Sequence, residues 1–377
     1  MKILQVTPYF HPYIGGQERY VRSLARALVN HGHTVQVFTS NFPKSKKNET
    51  IDGIKVRRFD FLCKPLNNPI SPMLLFHLIK HIRDFDLIHC HNEHAAVSQY
   101  CALTKSHLKL PLIITCHGQL KFDHPAKDLV EHAYRKTLGA ILLRRADRVI
   151  TISDSDRKYV HSFDVPLERI RVIPNGVDLT QYSHQKFNLQ EEMAFEGKRV
   201  ILFVGPLIKR KGPHVLVQAI PAIIEEDPDV VFVFAGKGNF KEEVERLSQT
   251  LHVEKYTRFL GYVPEKQLHS LYQRSEALVL PSFSEALAYT ILDAFVFSKP
   301  VVSSLIPCIR DYLSDTALLV QPGDSKALGK AVLRLLNNRK LAKELGAKGR
   351  RLVETRFTWD AVVNKVEGIY HEVLNVQ

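Results

Sequence analysis

Ile3-Leu4-Gln5-Val6-Thr7, a loop closing on Gly15-Gly16, the run Gln17 to His31, and Thr34-Val35-Gln36-Val37-Phe38-Thr39 decide the fold. The two flanking runs are short, apolar and β-branched, as buried strands require, while Val21, Leu24, Ala25 and Leu28 recur at the three-to-four-residue period of a helix face. Strand, helix, strand is one β-α-β unit. Outward from it the same alternation continues. Strands are expected at Leu87 to His89, Leu112 to Thr115 and Val149 to Ile152, with helical stretches at Met73 to Arg83 and Ala126 to Arg145. Such alternation implies an α/β fold, a doubly wound parallel sheet with helices on both faces.

The polar stretch Leu179 to Lys198 lacks strand character, and the alternation restarts at Arg199-Val-Ile-Leu-Phe-Val-Gly205. Further strands are expected at Val230 to Ala235, Thr257 to Leu260, Ala277 to Leu280, Pro300 to Ser303 and Ala317 to Val320, and helices from Ser325 onward, broken near Phe357 to Asp360. A length of 377 residues also favours two domains. The expected division is 1–190, 191–360 and a terminal helix, 361–377.

Composition narrows the classes. Hydrophobic residues form 45% of the chain and charged residues 24%, the balance of a globular protein. No run approaches the ~18 consecutive apolar residues of a membrane span, and Met1-Lys2 leads directly into a strand, so a cytoplasmic location is expected. Five cysteines with no C-x-x-C pair read as reduced, mostly buried thiols. Of the net charge of +13, residues 1–190 carry +11 (27 Lys+Arg against 16 Asp+Glu). That asymmetry points to an anionic partner for the first half, with a merely solvated basic surface as the alternative.

In open α/β sheets ligands sit beyond the carboxyl ends of the strands, so the residues following each strand carry the chemistry. Gly15-Gly16 opens a helix whose amide groups can approach a phosphate; by itself it is also an ordinary turn. Val204-Gly-Pro-Leu-Ile-Lys209-Arg210-Lys211-Gly212 places three cations between glycines at a strand-loop-helix junction, suited to neutralising a diphosphate, or simply an exposed basic turn. It is not a Walker loop. Pro281-Ser-Phe-Ser-Glu285-Ala-Leu-Ala-Tyr-Thr-Ile-Leu-Asp293 sets two carboxylates eight residues apart across the expected start of a helix, close to two turns and so on one side. The competing readings are a helix cap for Glu285 and a solvated surface residue for Asp293. His89, His91 and His117 follow strands and read as a polar cleft lining, since no carboxylate-rich set accompanies them to form a metal site.

In order along the chain, Gly15-Gly16, His89-x-His91, Thr115-x-His117-Gly118, Ala146-Asp147 with Ser153, Ile173-Pro-Asn-Gly-Val-Asp178, Gly205 with Lys211-Gly212, Ala235-Gly236-x-Gly238, Glu285 to Asp293 and Phe357-Thr-Trp359 resemble the family-4 retaining glycosyltransferases. The resemblance covers nearly the whole chain. It implies the GT-B fold, two facing Rossmann-like domains, the first binding acceptor and the second the donor. It implies transfer of a sugar from a nucleotide-diphosphate donor, a UDP- or GDP-sugar, to a hydroxyl of a glycan or lipid-linked glycan. Configuration would be retained, with no catalytic metal and no cofactor beyond the donor. By the same resemblance His117, Lys211 and Glu285 are the catalytic candidates. Gly15, Gly16, Gly205, Lys209, Arg210, Lys211, Glu285 and Asp293 would bind the donor, Lys211 at the diphosphate, Glu285 at the sugar hydroxyls, and the terminal helix would cross back to the first domain. Three positions depart from the family pattern: Pro206 stands where a phosphate-binding arginine is usual, Asp293 where a ribose-binding glutamate is usual, and Ala288 where a glycine is usual.

The segment Lys127 to Arg148 carries Lys127, Arg135, Lys136, Arg144, Arg145 and Arg148 beside Leu138, Ile141, Leu142 and Leu143. As a helix it would lie on an anionic membrane, making the protein peripheral at the inner face; an ordinary core helix with a basic outer side is the alternative. Rival readings are an epimerase or a pyridoxal-dependent phosphorylase of the same fold, a non-catalytic relative, and a basic nucleic-acid-binding protein. The last lacks any recognition motif, so no nucleic-acid partner is expected.

Overall fold

The structure is a computed structural model that describes residues 1–105, 110–118, 125–182, 195 and 197–375. The chain divides into two compact units, Met1–Gly176 together with Trp359–Gln377, and Val177–Thr358. The division therefore falls at Gly176, not near residue 190, and the closing segment begins at Trp359 instead of 361. The cause is backbone pairing: the Val177 amide donates to the Phe357 carbonyl at 2.6 Å, and Val177 bridges Thr358.

The first unit is built on a sheet of eight strands: β1 (Lys2–Val6), β2 (Thr34–Ser40), β3 (Asn48–Ile51), β4 (Ile54–Phe59), β5 (Leu87–His91), β6 (Leu112–Cys116), β7 (Arg148–Thr151) and β8 (Ile170–Val172). Their order is β3-β4-β2-β1-β5-β6-β7-β8. All neighbours are parallel except β3, which runs antiparallel to β4 at the edge. That hairpin, absent from the sequence reading, turns on Asp52-Gly53 with φ of 52° and 80°, a two-residue turn that matches strand twist. Leu4, Val6, Ile88, Cys90, Ile114 and Val149 fill the core against the helices. The expected single helix Ala126 to Arg145 is three pieces: Pro125–Tyr134, a π-turn over Arg135–Gly139, and Ala140–Arg145. Helices Ala96–Lys105 and Asp154–His161, and β8, were not foreseen.

The helix Trp359–Asn375 belongs to the first unit. Its buried residues Trp359, Val362, Val363, Val366, Ile369, Tyr370 and Val373 recur at helical spacing along one side, which is why it docks. Glu367 meets His31 at 3.0 Å and His33 at 2.6 Å, and Glu372 meets Arg148 at 2.7 Å and Arg171 at 2.9 Å.

The second unit holds six parallel strands, β9 (Arg199–Val204), β10 (Val230–Ala235), β11 (Thr257–Gly261), β12 (Ala277–Leu280), β13 (Val301–Ser304) and β14 (Leu318–Val320), in the order β11-β10-β9-β12-β13-β14. In each sheet the chain reverses direction beside its first strand, between β1 and β5 and between β9 and β12. These are the switch points where the loops at the carboxyl edge part and leave a crevice. Cys90, Cys101, Cys116 and Cys308 are buried and Cys63 is exposed, all as free thiols. Among the described residues no helix is long and apolar enough to cross a membrane.

Candidate functional site

At the switch point of the second unit, the loop after β9 is pressed into its neighbours. A Cβ on Gly236 would lie 1.8 Å from the Gly205 carbonyl oxygen, and one on Gly212 would lie 2.1 Å from that of Pro281. Gly212 also has φ +70°, so only glycine suits this corner, from which the helix Pro213–Glu226 starts. Just before it, Lys209–Lys211 form a single tight turn.

The three cations of that turn are placed differently. Lys211 reaches the loop after β12, with Nζ 2.5 Å from Glu285 Oε1, a pair whose side chains are 15% and 6% exposed. Ser282 Oγ donates to the same carboxylate oxygen at 2.7 Å. Arg210 Nη1 donates to the Ser284 carbonyl at 2.7 Å, while the Phe283 amide donates to the Arg210 carbonyl at 2.8 Å. Lys209 and Pro206 are exposed. Arg210, Lys211 and Glu285 are thus gathered into one polar corner, while Gly205 lies against Gly236 and its amide donates to the Ala235 carbonyl.

Asp293 is not part of it in the way the spacing suggested. The helix begins only at Tyr289, because Ala288 is extended (φ −70°, ψ 123°), so Glu285 lies in the loop and no helix side is shared by the two carboxylates. Asp293 is buried inside that helix and accepts a hydrogen bond from the Tyr182 hydroxyl. Tyr182 stacks on His269 with ring centres 4.8 Å apart. This tyrosine was missed in the sequence, where nothing marks a residue 111 positions away as the partner.

In the first unit Gly15 is the extended residue ahead of the helix Gly16–Asn30, and Gly16 is exposed at its start. Gln17 ties the two sides of the switch point together: its Nε2 donates to Thr7 Oγ1 after β1, and its Oε1 accepts from Asn92 Nδ2 after β5, both at 3.1 Å. Glu18 folds back over Gly15 and is buried; burial pushes its carboxyl up to about 7.

His117 follows β6. Its Nε2 is 3.4 Å from His91 Nδ1, and its ring meets the Tyr20 ring edge-on at 4.9 Å. Behind it, His89 Nδ1 pairs with the Tyr370 hydroxyl at 2.6 Å and Nε2 with Thr115 Oγ1 at 2.7 Å. Desolvation lowers His89 to about 3, His117 to about 4 and His91 well below its ordinary value, so all three are neutral at pH 7. His117 is consequently a hydrogen-bonding imidazole and not a cation. Among the described residues no group of three His, Cys, Asp or Glu side chains is arranged to hold a metal ion.

This chemistry and architecture meet the comparisons with known proteins. The description "Glycosyltransferase Family 4" matches residues 14–181, and "Glycosyl transferases group 1" matches residues 185–352. The chain belongs to the family-4-like group 1 glycosyltransferases. It is 25% identical to an uncharacterized glycosyltransferase of Methanocaldococcus jannaschii over 98% of each chain. It is also 25% identical to the D-inositol 3-phosphate glycosyltransferase of Corynebacterium aurimucosum, over 96% of this chain and 92% of that one. In fold it is similar to Anabaena Alr3699/HepE, solved in complex with UDP-glucose, with a TM-score of 0.82, 18% identity, and coverage of 99% of this glycosyltransferase and 100% of that chain. The glycosyltransferase has the GT-B architecture, each unit being one of its two Rossmann-like halves.

Proposed function

We propose that this glycosyltransferase moves a sugar from a nucleoside-diphosphate sugar, a UDP- or GDP-sugar, to a hydroxyl of a glycan or lipid-linked glycan, retaining the anomeric configuration and using no metal. The observation that carries the reading is the Lys211–Glu285 pair at the switch point of the second sheet. The UDP-glucose complex of the similar Anabaena protein supports the class of donor.

In this reading the second unit binds the donor. The diphosphate takes the Lys211 ammonium from Glu285, with Arg210, Lys209 and the backbone at Gly205 beside it. Glu285, released from its partner, accepts hydrogen bonds from hydroxyls of the transferred sugar. Asp293 receives a ribose hydroxyl while sharing its carboxylate with Tyr182. The bond from the anomeric carbon to the diphosphate breaks, its electron pair goes to the phosphate oxygen, and the acceptor oxygen attacks from the same face, its proton passing to the departing phosphate. Lys211 favours that step because negative charge grows on the oxygen it faces. Gly15 and Gly16 of the first unit contribute further to donor binding, and neutral His117 lies near the transferred sugar and the acceptor. The basic first unit works at the inner face of an anionic membrane, where a lipid-linked acceptor is presented.

The test is a thermal-shift series with uridine, guanosine and adenosine diphosphates and their sugar conjugates. Binding to the folded state raises the melting temperature with occupancy, so a selective rise with one base is expected. Flat curves for every nucleotide, from a protein that melts cooperatively, would sink the donor assignment.

A further inference from the structure

One buried titratable side chain takes no part in the reaction described above. Glu18 is the third residue of the helix Gly16–Asn30. An acidic side chain at that position ordinarily stays ionised, because it faces the free amide groups of the first turn in water. Glu18 is instead only 8% exposed. A Cβ on Gly15 would lie 2.2 Å from Glu18 Oε2, so the carboxyl fills the space that a side chain at residue 15 would take. It is held over Gly15 and beside Gly16, which is exposed at the helix start.

The surroundings supply no compensating cation. Tyr9 and Tyr13, on the loop that leads to Gly15, stack with ring centres 4.6 Å apart, and a ring carbon of Tyr13 is 3.8 Å from the same Cβ position. The Tyr9 hydroxyl donates to the Asn67 carbonyl at 2.9 Å, and burial pushes its phenol up to about 12. Arg22, one turn along the helix, meets Asp52 at 2.8 Å and His11 at 3.3 Å, and half-buried Arg19 is engaged elsewhere. On the flanking loops and strands, Arg58 pairs with Glu49 and Lys64 lies over the Phe42 ring at 3.7 Å. After β5 the neighbour of Gln17 is the uncharged Asn92, and on the closing helix Glu367 pairs with His31 and His33 at the far end of Gly16–Asn30. Among the described residues no side chain forms an ion pair or hydrogen bond with the Glu18 carboxyl. Desolvation therefore outweighs the one group that favours the charged form, its own amide, and much of the protein carries the acid at neutral pH.

That form suits a phosphate. Amide groups at a helix N-terminus attract an anion, and a carboxylate in the same place would repel it, whereas the acid donates a hydrogen bond to a phosphate oxygen. We propose that Glu18 binds the sugar donor as a neutral acid, its O–H donating to an oxygen of the diphosphate seated over Gly15 and Gly16; the inference rests on the donor reading given above. Binding then keeps the proton on Glu18, and takes one from water wherever Glu18 was ionised. Affinity is full below about 7 and falls as pH rises above it.

Calorimetric titration of the full chain over about pH 6 to 9 tests this, with UDP-glucose, or with GDP-mannose where UDP-glucose does not bind. The diphosphate of such a conjugate does not titrate near neutrality, so any proton taken up enters the protein. In the unaltered chain Kd is expected to rise about tenfold per pH unit above 7, with uptake of about half a proton per donor at pH 7, read from two buffers of different ionisation enthalpy. E18Q, whose amide donates without titrating, is expected to lose both the slope and the uptake. The same slope in both chains would overturn the role of Glu18 while the donor reading stands. Absence of uptake by the unaltered chain would overturn it whatever the variant does. Failure of the unaltered chain to bind either conjugate at any pH would remove the donor reading, and this inference with it.

Discussion

Lys211 and Glu285 hold one another in a largely buried corner, so neither can be removed without leaving the other as a poorly solvated charge. Lys211→Ala is expected to lower kcat/KM for an identified donor and acceptor by about a thousandfold, in line with the several kcal/mol that a positioned charge contributes to a transition state. Near-normal turnover by a folded variant would remove Lys211 from the reaction. Glu18 makes a different prediction. Its carboxyl stands at about 7 in the folded chain against an ordinary 4.5, because burial disfavours the charged form. The folded state therefore binds that proton more tightly. The associated stability is fully present below about 4.5 and is lost as pH rises through about 7, a change of up to roughly 3 kcal/mol. Glu18→Gln should flatten that fall relative to the unaltered chain, as read from denaturant unfolding at a series of pH values; parallel curves would contradict it. The cations and glycines of the second unit's loop were visible in sequence because they stand next to one another. The Tyr182 partner of Asp293 and the Gln17 bridge from Thr7 to Asn92 were not, since each depends on a contact made only when distant loops meet.

Among the elements, the loop between β9 and its helix is the most constrained. Gly212→Ala sets a Cβ against the Pro281 backbone and strains a left-handed residue, and Gly236→Ala collides with the Gly205 carbonyl. Each is expected to cost several times as much as Gly32→Ala, where φ is +84° but the space is open and the penalty is about 1 kcal/mol. Comparable unfolding free energies for the three would contradict the close approach. The parallel strands were legible because each is a short apolar run bounded by turn residues. The β3–β4 hairpin carried its own signal in Asp52-Gly53, but its strands are short and half polar. The eight-residue spacing of Glu285 and Asp293 read as two turns of one helix, which misplaced Glu285; the backbone at Ala288 is extended and the helix waits for Tyr289. The π-turn at Arg135 had no sequence signature, since residues 125–145 satisfy an ordinary helical period.

At the scale of the whole molecule, the last helix completes the unit that the first residues begin. Tyr370→Phe would leave His89 Nδ1 buried without its partner and is expected to cost about 1–3 kcal/mol, measurable by thermal denaturation. Ending the chain at Thr358 removes the whole buried side of that helix. Calorimetry of such a chain should show the Val177–Thr358 unit melting much as before and the first unit melting at far lower temperature or not cooperatively; two unaltered transitions would refute this division of the molecule. The arrangement also has a consequence for biosynthesis. The first unit is interrupted at Gly176 and resumes at Trp359. At roughly 5–20 residues per second, the ribosome needs on the order of ten to forty seconds to deliver the closing helix after Gly176 has been made. Throughout that interval the nascent chain carries an open apolar trough awaiting Trp359, Val366 and Tyr370, while the inserted unit, continuous in sequence, is free to fold first.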